Sequence, residues 1–489
     1  MLLVWTLASV AGYVWQARPS IGGVDFFYYA CFARDMVEHP GEVSADAYGY
    51  FPGVYTFWRS AIRLTGGSLA SLQNCFALLL IANAVAVAVV VVRATGQRVA
   101  AVFAGVWFLV LCSRYQGFTG VTEPIATLPF LIGVAIWNGQ RLDERKGIWA
   151  TLVLGVALGL TLYCKQQAGL LWFGLASFVL VKQVAIPGQK SIWSRCLLLV
   201  AVALATTFVG VFLEGRGWQP LWQGLSVAGQ YGSEGSVWRN LYTQIRADET
   251  AWVIGCLVIV FLGGTCFRRH VVGCRRERWW RVALFCALSS VFSLVQFYAR
   301  PFGHYTLLGV PGLVISATLI VVYLARELAG RERGIVRSRL FVLIAACIPL
   351  GYGVTLPHSL QVWRVVLPKD FVVQQLWHKR ADVAQDIELL RNIVQSGASL
   401  YVLPPRHNSI HFLLETRSVA PLGYRFRVPV LQDVSWQDFE SVVVLREALD
   451  DTDERVWPSE RRWEAEAVLR EAGFRKREIS LRTMDLFQK

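Results

Sequence analysis

Long runs of apolar residues fill most of the first 356 positions of the chain, and loops with polar or charged residues separate them. About eleven of these runs are candidate transmembrane helices, although several are shorter than the ~20 residues that an untilted helix needs to cross a bilayer. They lie near residues 2–17, 72–92, 99–112, 124–138, 148–164, 168–186, 196–213, 251–267, 282–298, 306–324 and 340–356. The pattern therefore predicts a polytopic α-helical membrane protein.

The hydrophobic pattern changes after residue 357, where charged residues become frequent and the apolar runs shorten to the length of strands. The candidate strands are Ser399–Leu403, Ser441–Leu445 and 479–487, and the candidate helices are 373–394 and 459–472. Strands that alternate with helices are typical of a small α/β unit. The sequence thus predicts a membrane domain over residues 1–356 and a soluble α/β domain over residues 357–489.

Composition supports the membrane assignment. Hydrophobic residues make up 55% of the 489 positions, charged residues make up 17%, and the mean hydropathy is +0.44. A typical soluble protein carries about 25% charged residues, so this chain has too little polar material to cover a soluble surface of its size. The 10 cysteines form no CxxC pair, which argues against a zinc site and leaves no motif of a disulfide-stapled module.

The chain carries a formal net charge of +14, and its basic residues fall in clusters between the apolar runs. This is the distribution that sets membrane orientation, so the charge does not indicate nucleic-acid binding. The basic clusters occupy every second loop, which predicts a multi-pass protein of the cytoplasmic (inner) membrane with a cytoplasmic N-terminus. The long loops 18–71 and 214–250 and the C-terminal domain are then extracytoplasmic.

The first outer loop contains a helical pattern that ends before Pro40, and a second helix is expected after Pro52. Six apolar residues share one face of the first helix: Phe26, Tyr29, Ala30, Ala33, Met36 and Val37. The opposite face carries Arg34, Asp35 and Glu38. An apolar face opposite a charged face is typical of an amphipathic helix at the membrane surface.

Two acids begin helices at the same outer boundary of the membrane. Asp25 begins the first outer-loop helix, and Glu123 begins the fourth span with Pro124 in its first turn. Helix capping explains either acid on its own, because acidic residues and proline are common in the first turn. Their coincidence beside a hydrophobic wall makes both acids candidates for catalysis.

Cations occupy the same boundary. Lys165 and Gln166 lie in a short turn between two spans, where a cation must reach the interface or find an anion. Arg300, His304 and Tyr305 precede the tenth span. The centres of the spans are nearly free of ionisable residues, which argues against a proton- or ion-coupled transporter. We interpret the boundary as a site for a lipid with an anionic headgroup, where cations hold a phosphate and a carboxylate accepts a proton.

Four regions of the sequence resemble one family. They are VDFFYYACFARDM with YGYFPGVYTFW, then TEPIATLPF, LGLTLYCKQQAGLL and RPFGHYTLLGVPGL, spread over residues 22–314. In this order they are similar to the GT-C superfamily of membrane glycosyltransferases, especially bacterial members of the dolichyl-phosphate-mannose–protein mannosyltransferase family (glycosyltransferase family 39). The resemblance implies an inverting transferase that moves a sugar from a polyprenyl-phosphate-linked donor to a lipid, glycan or protein acceptor outside the cytoplasmic membrane.

The resemblance also implies roles for residues. Asp25 matches the general base, and Glu123 matches a second acid that orients the acceptor or helps to hold a metal. From their charge and position, we expect Lys165, Arg300, His304 and Tyr305 to hold the donor phosphate. The residues expected to line the substrate site are Tyr28, Tyr29, Tyr50, Tyr115 and Gln166.

The chain departs from the family at two points. Many relatives have an Asp-Glu pair where this chain has Asp25-Phe26, so a metal site on that pair is not expected. The lysine of a KPP-type motif is replaced by the stretch Tyr50-Phe51-Pro52-Gly53. No cofactor is required by the sequence, and a divalent cation is left open.

A non-catalytic protein is the alternative interpretation. A flippase for lipid-linked glycans should show a polar path through the bilayer, and the spans contain none. A scaffold that binds a partner through its outer domain should tolerate the loss of Asp25 and Glu123 together.

Overall fold

A computed structural model describes most of the predicted helices and much of the C-terminal domain. The described residues are 14, 18, 21–22, 24–40, 52–114, 120–138, 147–171, 174, 177, 190–214, 278–293, 307–331, 381–403, 408–418, 431, 434–446 and 459–489. Before position 332, nine long helices occur among them: α1 (Val24–Glu38), α2 (Pro52–Thr65), α3 (Leu69–Thr95), α4 (Arg98–Arg114), α5 (Glu123–Trp137), α6 (Gly147–Cys164), α7 (Lys190–Leu213), α8 (Arg278–Ser293) and α9 (Val310–Arg331).

Helices α3 to α7 coincide with five predicted spans, each within a few residues at either end. Helices α3, α6 and α7 contain stretches that are long and apolar enough to cross a membrane, and α4, α5 and α9 contain shorter apolar stretches. Helix α8 begins four residues before the expected position, and its additional first turn includes the buried residues Trp279, Trp280 and Arg281. The spans predicted near 2–17, 251–267 and 340–356 and most of 168–186 lie outside the described residues, and the total of eleven stays a prediction.

Small residues let the membrane helices approach closely. A Cβ atom at Gly105 of α4 would lie 2.9 Å from the carbonyl oxygen of Ala84 in α3. A Cβ atom at Gly159 of α6 would lie 3.1 Å from the Cα atom of Ala203 in α7, and the Thr207 hydroxyl donates to the Gly159 carbonyl at 3.0 Å. In lipid, where burial of apolar surface drives association weakly, such close packing holds helices together.

The C-terminal domain is a five-stranded sheet covered on both faces. Its helices are α10 (Ala381–Arg391), α11 (Asn408–Leu414) and α12 (Ser459–Glu471), and its strands are β1 (Ser399–Leu403), β2 (Arg417–Ser418), β3 (Ser441–Leu445), β4 (Arg475–Lys476) and β5 (Met484–Gln488). The strand order is β2-β1-β3-β5-β4, with β1 parallel to β2 and β3, and β5 antiparallel to β3 and β4. The predicted α/β domain is confirmed, and its boundary at 356/357 lies outside the described residues.

The strand predicted over 479–487 is too long, because β5 begins at Met484. The two preceding amides bond to a side chain rather than to a neighbouring strand. The backbone N–H of Arg482 lies 2.9 Å from Asp386 Oδ1, and the N–H of Thr483 lies 2.6 Å from Asp386 Oδ2. These bonds anchor the start of β5 to α10 and end the extended pairing there.

The charged face of α1 is not in water, contrary to the sequence-based expectation. Arg34 and Asp35 are only 8% and 7% exposed, while Glu38 is exposed as predicted. Helix α11 of the C-terminal domain packs against this side of α1. The guanidinium group of Arg34 donates to the Phe412 carbonyl at 3.0 Å, which gives the buried charge an acceptor. Arg34 of α1 therefore serves a contact between the two domains.

Next to this contact, His411 is buried and must remain neutral in the folded protein. Burial and, to a smaller extent, the positive charge of Arg34 lower the pKa of His411 to about 3. The unfolded chain takes up this proton near pH 6.5, so the folded state loses stability as the pH falls from about 6.5 towards 3.

We predict that acidification to about pH 5 lowers the free energy of unfolding of the C-terminal domain by roughly 2 kcal/mol through His411 alone. The test compares urea-unfolding midpoints of the full-length protein near pH 7 and pH 5, read by limited proteolysis of residues 381–489. His411→Gln removes the titrating group and should flatten part of the pH dependence. An equal decline in both proteins would contradict the assignment to His411.

Candidate functional site

Helix α1 places Asp25 beside the segment that leads into α5. Asp25 lies in the first turn of α1 and is partly exposed. Gly120 has φ 78 and packs on Phe26, where a Cβ atom at Gly120 would lie 2.8 Å from the Cα atom of Phe26. Because Phe26 follows Asp25 directly, the start of α1 and the residues that precede Glu123 are neighbours.

Aromatic side chains fix α1 against α2. The ring centroids of Phe26 and Trp58 are 5.0 Å apart, and those of Tyr29 and Tyr55 are 5.9 Å apart. Tyr28 and Tyr29, which we expected to line the substrate site, are buried, and their rings lie edge to face at 5.2 Å. Edge-to-face contacts add to the stabilisation that ring burial provides. These contacts therefore hold α1 against α2.

The structure brings Glu123 and Lys165 together as a buried ion pair. Glu123 is the first residue of α5, and Lys165 immediately follows α6. Lys165 Nζ lies 2.5 Å from Glu123 Oε1 and donates to the Thr122 hydroxyl at 2.9 Å. Glu123 is 0% exposed and Lys165 is 4% exposed. Lys165, which the sequence predicts in a turn at the membrane boundary, is therefore neutralised by Glu123.

The two carboxylate oxygens of Glu123 differ in their hydrogen bonding. Oε2 is buried and accepts no hydrogen bond from the described residues. A buried acceptor without a donor loses the hydration that it had in water, and a carboxylate oxygen can accept up to two hydrogen bonds. Glu123 thus keeps unused acceptor capacity at the start of α5, next to the ammonium group of Lys165.

A buried asparagine in α3 fixes the first turn of α5. The side-chain amide of Asn83 donates to the Pro124 carbonyl and to the Leu79 carbonyl, both at 2.9 Å. Its carbonyl oxygen accepts from the Thr127 hydroxyl at 2.9 Å. Asn83 is not among the predicted site residues, although an amide inside the apolar run 72–92 is the signal that could have identified it.

A second polar cluster joins α2, α6 and the end of α7. Glu214 Oε1 accepts hydrogen bonds from the Tyr163 hydroxyl at 2.9 Å and from the Thr56 hydroxyl, and Glu214 Oε2 lies 2.5 Å from Arg59 Nη2. Tyr163 lies two residues before Lys165 in the chain. None of these residues is among the predicted site residues, because Glu214 and Arg59 are far apart in the sequence. The position of Glu214 at the end of an apolar run is the signal that could have identified the cluster.

The structure thus assembles part of the predicted site. It joins Glu123 to Lys165 and places the start of α1, with Asp25, beside the segment before Glu123. Gln166 begins a 3-10 turn directly after Lys165. The remaining predicted residues lie outside the described residues: Arg300, His304, Tyr305, Tyr50 and Tyr115. Among the described side chains, no group of three or more His, Cys, Asp or Glu residues could hold a metal ion.

No protein-family model matches the chain, and no curated protein matches it. Among solved structures, the crystal structure of ArnT from Cupriavidus metallidurans bound to undecaprenyl phosphate matches 99% of this chain and 97% of that chain, with a TM-score of 0.60 and 16% sequence identity. ArnT has the GT-C fold. This chain has the GT-C fold. The predicted fold class, a polytopic α-helical membrane protein, is thereby confirmed, and the relation to family 39 stays a prediction.

Two oligosaccharyltransferase structures from Archaeoglobus fulgidus also match. One is tethered with an acceptor peptide and shows a TM-score of 0.48 and 12% identity over 99% of this chain and 74% of that chain. The other, AglB in complex with an inhibitory peptide and a dolichol-phosphate, shows a TM-score of 0.46 and 11% identity over 91% of this chain and 69% of that chain.

The buried pair predicts a strong coupling between Glu123 and Lys165. Replacing Lys165 by Met leaves an uncompensated buried carboxylate and should lower the free energy of unfolding by about 3–5 kcal/mol, whereas Glu123→Leu with Lys165→Met should lower it by much less than the two single changes together. Unfolding in mixed micelles titrated with SDS measures the four proteins of this double-mutant cycle.

The exposed pair of Arg391 and Glu388, 2.6 Å apart with side chains 51% and 66% exposed, is the matched control. Arg391→Met should change stability by about 1 kcal/mol or less. Additive effects of the Glu123 and Lys165 substitutions would contradict the ion pair.

Proposed function

We propose that this protein is a membrane glycosyltransferase. In this proposal it transfers a sugar, with inversion, from a polyprenyl-phosphate-linked donor to a lipid, glycan or protein acceptor at the extracytoplasmic face of the cytoplasmic membrane. The observation that supports it most is the match over nearly the whole of both chains to ArnT, whose structure is bound to undecaprenyl phosphate. A shared fold does not by itself define an activity, so the proposal also needs a site with suitable chemistry.

The two acids near the start of α5 differ in a way that separates their roles. A general base must reach the proton that it removes. Asp25 is partly exposed in the first turn of α1, whereas Glu123 is completely buried and bonded to Lys165. We therefore assign the general base to Asp25. Glu123 holds the ammonium group of Lys165 in place and, through Oε2, retains an acceptor that could orient the incoming group.

The reaction that we propose is a single displacement. Asp25 takes a proton from the hydroxyl or amine of the acceptor, and the freed electron pair attacks the anomeric carbon of the sugar. The bond between that carbon and the phosphate oxygen breaks, and the polyprenyl phosphate leaves with the bonding electrons. Attack from the face opposite the phosphate inverts the anomeric configuration.

The departing phosphate requires nearby positive charge, because it gains negative charge as the bond breaks. Lys165 with Arg300, His304 and Tyr305 is the set that we propose for this role. The carboxylate of Glu123 supplies the counter-charge for the buried ammonium group of Lys165, since a buried cation without an anion is strongly disfavoured. Tyr28, Tyr29, Tyr50, Tyr115 and Gln166 complete the proposed substrate site.

Replacing Asp25 by Asn should abolish transfer, because an amide cannot accept the proton of the acceptor, while protein level and membrane insertion stay normal. The assay incubates purified protein with a panel of radiolabelled polyprenyl-phosphate sugars and membrane extract, with and without chelator. Glu38→Gln, which changes an exposed acid on the same helix, is the matched control and should transfer normally. Full activity of Asp25→Asn would remove Asp25 as the base, and a scaffold or flippase would show no transfer with any donor.

Replacing Arg300 or Lys165 by Ala should weaken binding of undecaprenyl phosphate by about 10- to 100-fold, because each cation would donate a charge-assisted hydrogen bond to the phosphate. Titration of the lipid into the protein in nanodiscs measures this change. Arg63→Ala, which removes an exposed cation at the end of α2, should leave the affinity unchanged. Equal affinity in all three variants would contradict the phosphate-binding role.

A further inference from the structure

The C-terminal domain presents an acceptor site for one guanidinium group at the end of α11. The chain turns sharply there, because Glu415 has φ 55, a conformation that residues other than glycine rarely adopt. The turn is closed by a hydrogen bond from the N–H of Thr416 to the carbonyl of His411 at 3.0 Å. As a result, the carbonyl groups of His411, Phe412 and Thr416 point toward a common position.

Arg34 of α1 fills that position from the other domain. One nitrogen donates to the Phe412 carbonyl at 3.0 Å, and the other donates to the carbonyls of His411 at 3.1 Å and Thr416 at 2.9 Å. The guanidinium carbon also lies 5.2 Å from the centre of the Phe412 ring. Arginine suits this site because its planar group carries several donors in a fixed geometry, and the end of a helix attracts positive charge.

The contact extends along one side of α1. The ring of Phe412 lies 5.8 Å from the ring of Phe27, and Phe27 is seven residues before Arg34, so both lie on the same helix face. Asp25 precedes Arg34 by nine residues, or about two and a half turns at 3.6 residues per turn. Asp25 therefore lies on the face of α1 opposite to the one that the C-terminal domain holds.

We propose that Arg34 is a positioning residue for Asp25. By attaching the back of α1 to the C-terminal domain, Arg34 fixes the helix whose front carries the proposed base, and the C-terminal domain becomes part of the catalytic unit. This inference rests on the proposed function of Asp25. A small displacement of a catalytic group lowers the rate far more than it lowers binding, since the reacting atoms must be aligned.

A contact that only adds stability makes a different prediction. It would lower the free energy of unfolding without changing the turnover of the molecules that remain folded. A positioning contact lowers kcat in the folded protein while the affinity for the donor stays the same. The two roles are separated by measuring kcat, donor affinity and the mobility of α1 in the same preparations.

The experiment uses the full-length protein in nanodiscs with three variants. Arg34→Gln removes the charge, and Arg34→Lys keeps the charge but lacks the planar group whose two terminal nitrogens bond to the three carbonyls. Phe412→Leu alters the contact from the C-terminal side. Arg391→Gln is the matched control. Arg391 of α10 also donates to a carbonyl of α11, that of Leu413 at 3.2 Å, but it does so from within the C-terminal domain. Hydrogen exchange, transfer kinetics and binding of undecaprenyl phosphate are measured for each.

We expect kcat to fall on the order of 10²-fold in Arg34→Gln, and to fall less in Arg34→Lys and Phe412→Leu, with donor affinity unchanged. Exchange should accelerate in residues 24–38 but not in α3 or α6, and Arg391→Gln should behave like the unmodified protein. If Arg34→Gln does not fold, the two milder variants decide the question. Unchanged kcat in folded Arg34→Lys and Phe412→Leu would overturn the proposal.

The failure of the proposed function is distinguishable from the failure of this inference. An unmodified protein that transfers no sugar from any donor defeats the proposed function. Hydrogen exchange alone then tests whether Arg34 attaches α1 to the C-terminal domain. Faster exchange of residues 24–38 in Arg34→Lys supports this attachment, and unchanged exchange overturns it.

Discussion

A buried cation needs a carboxylate or carbonyl acceptor to compensate its lost hydration. In this protein, such contacts connect distant parts of the chain. Lys165 joins the ends of α5 and α6 through Glu123, Arg59 joins α2 to the end of α7 through Glu214, and Arg34 joins α1 to the C-terminal domain. Each cation is largely removed from solvent, so losing its partner would leave a costly unpaired group. These three contacts thus link helices that are far apart in the sequence and join the C-terminal domain to α1.

The same constraint gives three acids three different environments. Within the part of the chain that the structure describes, Glu123 is fully buried with one oxygen bonded and one not, and Glu214 has both oxygens bonded. Asp25 remains partly exposed at the start of α1. Acids with different surroundings can perform different tasks in one site. An exposed carboxylate can meet a substrate, whereas a bonded one holds its neighbours in position. The division of labour proposed for the site follows from these environments.

The sequence predicts elements whose signal is local. Long apolar runs locate α3 to α7, and continuous apolar pentapeptides locate β1 and β3 at their observed bounds. The partner of Arg34 could not be predicted in this way, because three main-chain carbonyls more than 370 positions away have no signature in the identity of a side chain. The pairing of Lys165 with Glu123 could not be predicted either. The hydrophobic pattern indicates that both residues lie at one boundary of the membrane, but it does not indicate that they are in contact.

Gly120 allows the start of α1 to lie close to the segment that leads into α5. Its backbone has φ 78, and a Cβ atom at this position would overlap Phe26 Cβ and lie 2.8 Å from Phe26 Cα, so the start of α1 and the approach to α5 leave no room for a side chain here. A methyl group at position 120 would push the two segments apart. We therefore expect Gly120 to tolerate substitution less well than the larger residues around it.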